Sequence, residues 1–106
     1  MKLLITTQVY ENYAHNEDGT IGVGDAAYWK AKGGNDYIIK NFRGGEEKAA
    51  ALVMAVRDRI EHRNDYFEES IIGWDIVEDD YLTEFERDQL EYEGKVTFPA
   101  QELELA

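Results

Sequence analysis

The sequence predicts one α+β domain, an antiparallel or mixed β-sheet of four to five strands with one long helix packed on one face and a short second helix. Three observations lead there. Residues 2–10 and 70–77 alternate with the two-residue period of strands, and residues 46–62 repeat their apolar positions with the period of a helix. Thr83 followed by Glu86 is a capping box, and Gly94 is placed to end the short helix that it opens. The 106 residues fit a single domain, 1–106, and 43% of them are hydrophobic, which supplies a modest core without staples.

The elements follow in order. Lys2 to Tyr10 is a strand with Leu3, Ile5, Thr7 and Val9 on one face, and as the first strand it suits the middle of the sheet. Residues 11–25 form a polar, glycine-rich loop. Ala27 to Lys32 and Tyr37 to Phe42 flank Gly33-Gly34-Asn35-Asp36, a turn signature, so 27–42 reads as a hairpin. Glu46 to His62 is the long helix, with Ala49, Leu52, Val53, Val56 and Ile60 on one face. Glu46 and Glu47 at its start, and Arg57, Arg59 and Arg63 at its end, suit the helix dipole. Asn64-Asp65 breaks it. Ser70 to Val77 is a strand, with Ile71, Gly73, Asp75 and Val77 opposite Ile72, Trp74 and Ile76. Thr83 to Glu93 is the short helix. Lys95 to Phe98, resuming as Glu102 to Leu105, is a final strand, and Pro99 suits a sheet edge.

Charge is distributed unevenly. The net charge is −12, yet residues 1–63 carry nine acids and nine bases. Residues 64–106 carry fourteen acids against Arg87 and Lys95. A field of that sign repels nucleic acid and anionic membrane and attracts basic surfaces. The absence of cysteine excludes disulfides and thiolate zinc sites. The apolar start, Met1 to Ile5, is too short for a signal peptide, and no run reaches the length of a membrane span. These features predict a cytoplasmic protein.

Catalytic constellations are weak. Ser70 is the only serine and has no nucleophile-elbow pattern around it; His15 lies in the polar loop and His62 at the end of the long helix. Asn16, Asp18 and Thr20 resemble a fragment of a calcium loop, but Ala14 occupies the first ligand position, so a solvated turn is the better reading. Glu78-Asp79-Asp80 likewise reads as a solvated acidic turn. No metal or cofactor is expected. Tyr28, Trp29, Tyr37 and Phe42 interleave with Lys30, Lys32, Lys40 and Arg43 as in a small stacking platform, but the net charge argues against direct nucleic-acid binding.

The carboxylates of residues 65–93 are the stronger signal. On the short helix Glu84, Asp88 and Glu91 share one face, and Phe85 and Tyr92 another. Helix-face neighbours lie roughly 5–6 Å apart, so such acids can present negative charge on the scale of a phosphate backbone. A merely solubilising surface is the plain alternative.

Three segments carry a resemblance: Gln8 to Tyr13, Tyr28 to Gly34 and Tyr81 to Gly94. They resemble small uncharacterised acidic proteins of tailed bacteriophages, which implies a context and no active site. Small accessory phage proteins often bind and block a host enzyme, acidic ones sometimes as DNA mimics. The expected function is therefore a non-enzymatic inhibitor in the host cytoplasm that docks on a basic surface of a host protein. Its contact residues are expected to be Glu78, Asp79, Asp80, Glu84, Asp88 and Glu91, with Tyr81 and Tyr92 as aromatic anchors. Two other classes stay open: a small-ligand or nucleotide-binding domain or enzyme using the aromatic-lysine hairpin and loop 11–25, and a self-assembling homo-oligomer.

Overall fold

The computed structural model describes residues 1–14, 20–23 and 26–104. Strand β1 (Lys2–Asn12) is central, with β2 (Trp29–Gly33) and β3 (Asp36–Ile39) along one of its edges. Helix α1 (Glu46–Ile60) precedes a hairpin of β4 (His62–Arg63) and β5 (Phe67–Val77). Helix α2 (Glu84–Glu93) and β6 (Gln101–Glu102) complete the fold. The sheet order is β4-β5-β1-β3-β6, with β2 also on β1. The β3–β6 pair is parallel and the other pairs are antiparallel, so the sheet is mixed. The α+β class is as expected. The added strand, β4, has two residues, too few to leave a periodic signal.

The hairpin expected over 27–42 does not form. Both β2 and β3 run antiparallel to β1, with Gly33 opposite Val9 and Asp36 opposite Thr6. Residues 29–39 are thus one strand broken at Gly34-Asn35. A Cβ at Gly34 would fall far inside contact distance of the Thr7 carbonyl oxygen, so glycine is what lets the two backbones approach. Thr7 N–H donates to the Asn35 carbonyl at 2.9 Å, and Asn35 N–H donates to Thr7 Oγ1 at 3.1 Å.

A second correction concerns β5. It starts at Phe67 and carries a bulge at Ile72, since Thr7 faces Ile71 while Thr6 faces Gly73. One inserted residue reverses the alternation beyond it. Ile71, Trp74 and Ile76 therefore pack on one side, Val77 joins the opposite side, and Ile72 is 62% exposed.

The main core joins Leu3, Ile5, Tyr37 and Ile39 to Ala49, Val53, Val56 and Ile60 of α1. The helix ends two residues earlier than expected. The Glu61 carboxylate accepts from the Arg57 guanidinium and, at 2.9 Å, from Ile71 N–H, which ties the helix end to β5. Asn64 Oδ1 accepts from Tyr66 and Phe67 N–H at 2.8 and 2.7 Å, so Asn64-Asp65 is also the β4–β5 turn.

On the other side of the sheet Leu4, Ile38 and Val77 form a smaller cluster with Tyr81 and Ala100. Residues 95–98 are not a strand, because the Gln89 side chain takes the Thr97 and Phe98 N–H groups. The radius of gyration is 16.8 Å, against about 13 Å for a compact domain of this length. With extents of 51 × 36 × 21 Å the molecule is a thin slab, which leaves much surface open. Among the described residues no helix is long and apolar enough to cross a membrane.

Candidate functional site

The capping box forms as the sequence predicts. Glu86 N–H donates to Thr83 Oγ1 at 3.2 Å, and Thr83 N–H donates to Glu86 Oε1 at 3.0 Å. Gly94 ends α2 in the left-handed region at φ 76°. The buried side of α2 is unexpected, because it is polar: Glu86 and Gln89 face inward. Gln89 Oε1 accepts from Thr97 and Phe98 N–H at 2.9 and 2.6 Å, and its Nε2 donates to the Phe98 carbonyl at 2.8 Å. This amide clasp holds the helix to the chain that follows. At 3.6 residues per turn, Glu84, Asp88 and Glu91 then face away from the body, and all three are exposed.

Glu78, Asp79 and Asp80 form an exposed turn just before α2. The amino group of Met1 lies 2.8 Å from Asp79 and holds its carboxyl below the usual aspartate range. Among the described residues, Glu78, Asp80, Glu84, Asp88 and Glu91 make no ion pair. The arginines closing α1 and following it are engaged elsewhere. Arg57 is on Glu61, Arg59 on the Glu104 carbonyl at 2.9 Å, and Arg63 lies 5.3 Å from the Trp29 ring centre. Tyr92 is 82% exposed. Tyr81 is half-buried against Leu4, Ile38 and Val77, and its carbonyl accepts from Lys2 Nζ at 3.1 Å. The structure therefore leads from the acidic turn into the acidic row of α2, while Tyr81 turns toward the smaller cluster.

A groove passes beneath the first turn of α2. One section, about 520 Å³, runs from Gln8 past Ile72 to Arg87; the next, about 440 Å³, lies between Phe85 and Phe98. The sections share Gly34, Asn35, Asp36 and Thr83, so the strand break forms part of the lining. Phe85 and Phe98 are 60% and 67% exposed.

Glu69, one of the carboxylates within residues 65–93, does not belong to the acidic surface, because it is buried, at 5% exposure. Its Oε2 accepts from Thr7 Oγ1 at 2.6 Å, Tyr37 Oη at 2.8 Å and Asn35 Nδ2 at 2.9 Å, and Oε1 lies 3.8 Å from His62 Nδ1. Burial pushes this carboxyl up. The three hydrogen bonds and the His62 charge outweigh that, so it ends below the ordinary glutamate value. Burial, then the bond to Glu69, pushes the Tyr37 hydroxyl up to about 12. The cluster ties β1, β5 and the strand break together. A strand begun at Phe67 gives Glu69 the inward parity of Ile71, and that was the available signal.

The remaining sequence candidates do not assemble. Ser70 Oγ donates to Glu68 at 3.3 Å, while the other face of β5 carries Glu69 toward His62. Among the described residues no group of three or more His, Cys, Asp or Glu side chains is placed to hold a metal. Lys30 Nζ stands 5.8 Å from the Tyr13 ring centre. His15 and Asn16 to Gly19 lie outside the described residues, as does Leu105. Comparison with protein-family models, with curated proteins and with solved structures finds no match.

Proposed function

We propose that the chain is a non-enzymatic accessory protein that binds a host protein through its anionic α2 face and inhibits it by occupying a surface meant for nucleic acid. The reading rests on one observation. Five carboxylates of the 78–80 turn and outer α2 are left without an ion pair among the described residues, although the chain has arginines to spare on other partners. Such mutual repulsion destabilises a compact state, so its retention calls for a cationic partner. In this reading α1 shields the inner face of the sheet, and the acidic face is left for the host protein. The resemblance to small acidic phage proteins supplies the host context and a cytoplasmic setting.

The test is capture from bacterial lysate followed by competition. The wild-type protein is expected to retain a nucleic-acid-binding protein that duplex DNA or about 0.5 M salt displaces. It is also expected to inhibit that protein's activity on DNA. The triple variant Glu84→Lys, Asp88→Lys, Glu91→Lys is expected to retain none of it while melting as the wild type does. Capture that survives the triple substitution, or that DNA does not displace, overturns the proposal.

A further inference from the structure

We infer that the groove between Phe85, Phe98 and Ile72 seats an apolar side chain from a Lys- or Arg-bearing amphipathic segment of the partner; the inference rests on the reading of α2 as a protein-binding face. The α2 helix is fastened to its own body by the polar Glu86 and Gln89, so Phe85 is not the residue that docks the helix. Phe85, Phe98 and Ile72 are each at least 60% exposed and line adjoining sections of one groove. Single exposed apolar residues are common, but a cluster of large ones around a concavity marks a binding surface.

Charge selects the occupant. Asp36 and Glu84 stand at this groove, Asp88 and Glu91 continue outward along the helix, and among the described residues Arg87 is the one base that lines it. A basic segment with an apolar face satisfies both features. A second copy of the chain satisfies only the apolar one, since it brings another net charge of −12.

The experiment uses the full chain and two synthetic probes of about sixteen residues and equal positive charge. One is a Leu/Lys helix with a single apolar face; the other is a Gly/Ser/Lys peptide. Titration calorimetry is expected to show about tenfold or tighter preference for the Leu/Lys probe, a ratio that added salt preserves while it weakens the binding of both probes. The double variant Phe85→Ser, Phe98→Ser is expected to remove that preference, keep the weak binding of the polar probe, and melt as the wild type does. Equal affinity for the two probes overturns the seat and leaves the anionic reading standing. A preference that survives the double substitution overturns the placement of the seat, and a lowered melting temperature shows instead that these side chains belong to the core. Wild-type dimers that the double variant abolishes make a second copy the occupant and also overturn the inference. Failure of both probes at low salt overturns the anionic reading itself.

Discussion

Replacing Glu69 by glutamine removes a charge from the interior and keeps the volume. In the wild type one oxygen accepts three donors, from Thr7, Asn35 and Tyr37, at 2.6 to 2.9 Å. A bond to a charged acceptor contributes about 1.5–3 kcal/mol and a neutral one about 1 kcal/mol. The glutamine carbonyl has two lone pairs, so the variant keeps two of the three bonds in weakened form and loses the third. Relief from burying a charge offsets part of this loss and holds the expected cost to about 3 kcal/mol, a large share of the roughly 5–15 kcal/mol that stabilises a domain. In a chain of this length that is about 15 °C in Tm. Acidity sharpens the test. The folded-state value of Glu69 lies below its ordinary 4.5. Its stabilisation is therefore complete above that value and is lost as pH falls through the lower, folded one. Melting curves followed by circular dichroism are expected to show the full gap between wild type and variant at pH 7 and a narrower one near pH 3. A gap below about 1 kcal/mol at pH 7, or one that acid leaves unchanged, refutes the account of Glu69 as a charged anchor.

Two further outcomes follow from the same region. Gly34→Ala forces a Cβ into the Thr7 carbonyl and is expected to cost about 2–4 kcal/mol in urea unfolding; a neutral result means that the strand break is not held by that approach. The Tyr37 hydroxyl, raised from 10.0 to about 12, keeps its proton in the fold after the unfolded chain has lost its own. Stability therefore falls as pH rises from about 10 to about 12, by roughly 2–3 kcal/mol. Tyr37→Phe is expected to lack that component of the alkaline slope, which urea midpoints measured across this range will show.

Local signals proved reliable where the interaction is local. Thr83, Glu86 and Gly94 define α2 within one or two turns of chain, and each forms the contact its pattern predicts. The buried residues of α1, Ala49, Val53, Val56 and Ile60, all come from the face the periodicity marks. The candidate acids were legible as a charge bias, and the exposure of Glu84, Asp88 and Glu91 agrees with it. Gly33-Gly34 misled because a glycine pair serves a tight turn and a close backbone approach equally well. Which of these it serves depends on Thr7, which lies 27 residues from Gly34 in the sequence.

By itself the sequence determined what depends on neighbours: the helix ends, the strand alternation up to the bulge, and the excess of acid after Arg63. Tertiary structure decided what depends on distant partners. Pairing with β1 made residues 29–39 one broken strand and placed the bulge at Ile72, reversing which side chains face the core. The β1–β5 register drew Glu69 inward, and the Gln89 clasp on Thr97 and Phe98 turned the polar side of α2 toward the body, leaving Phe85 and the acidic row outside. The physical reason is register. A strand's faces are assigned by the strand beside it, and one residue of slip exchanges inside for outside.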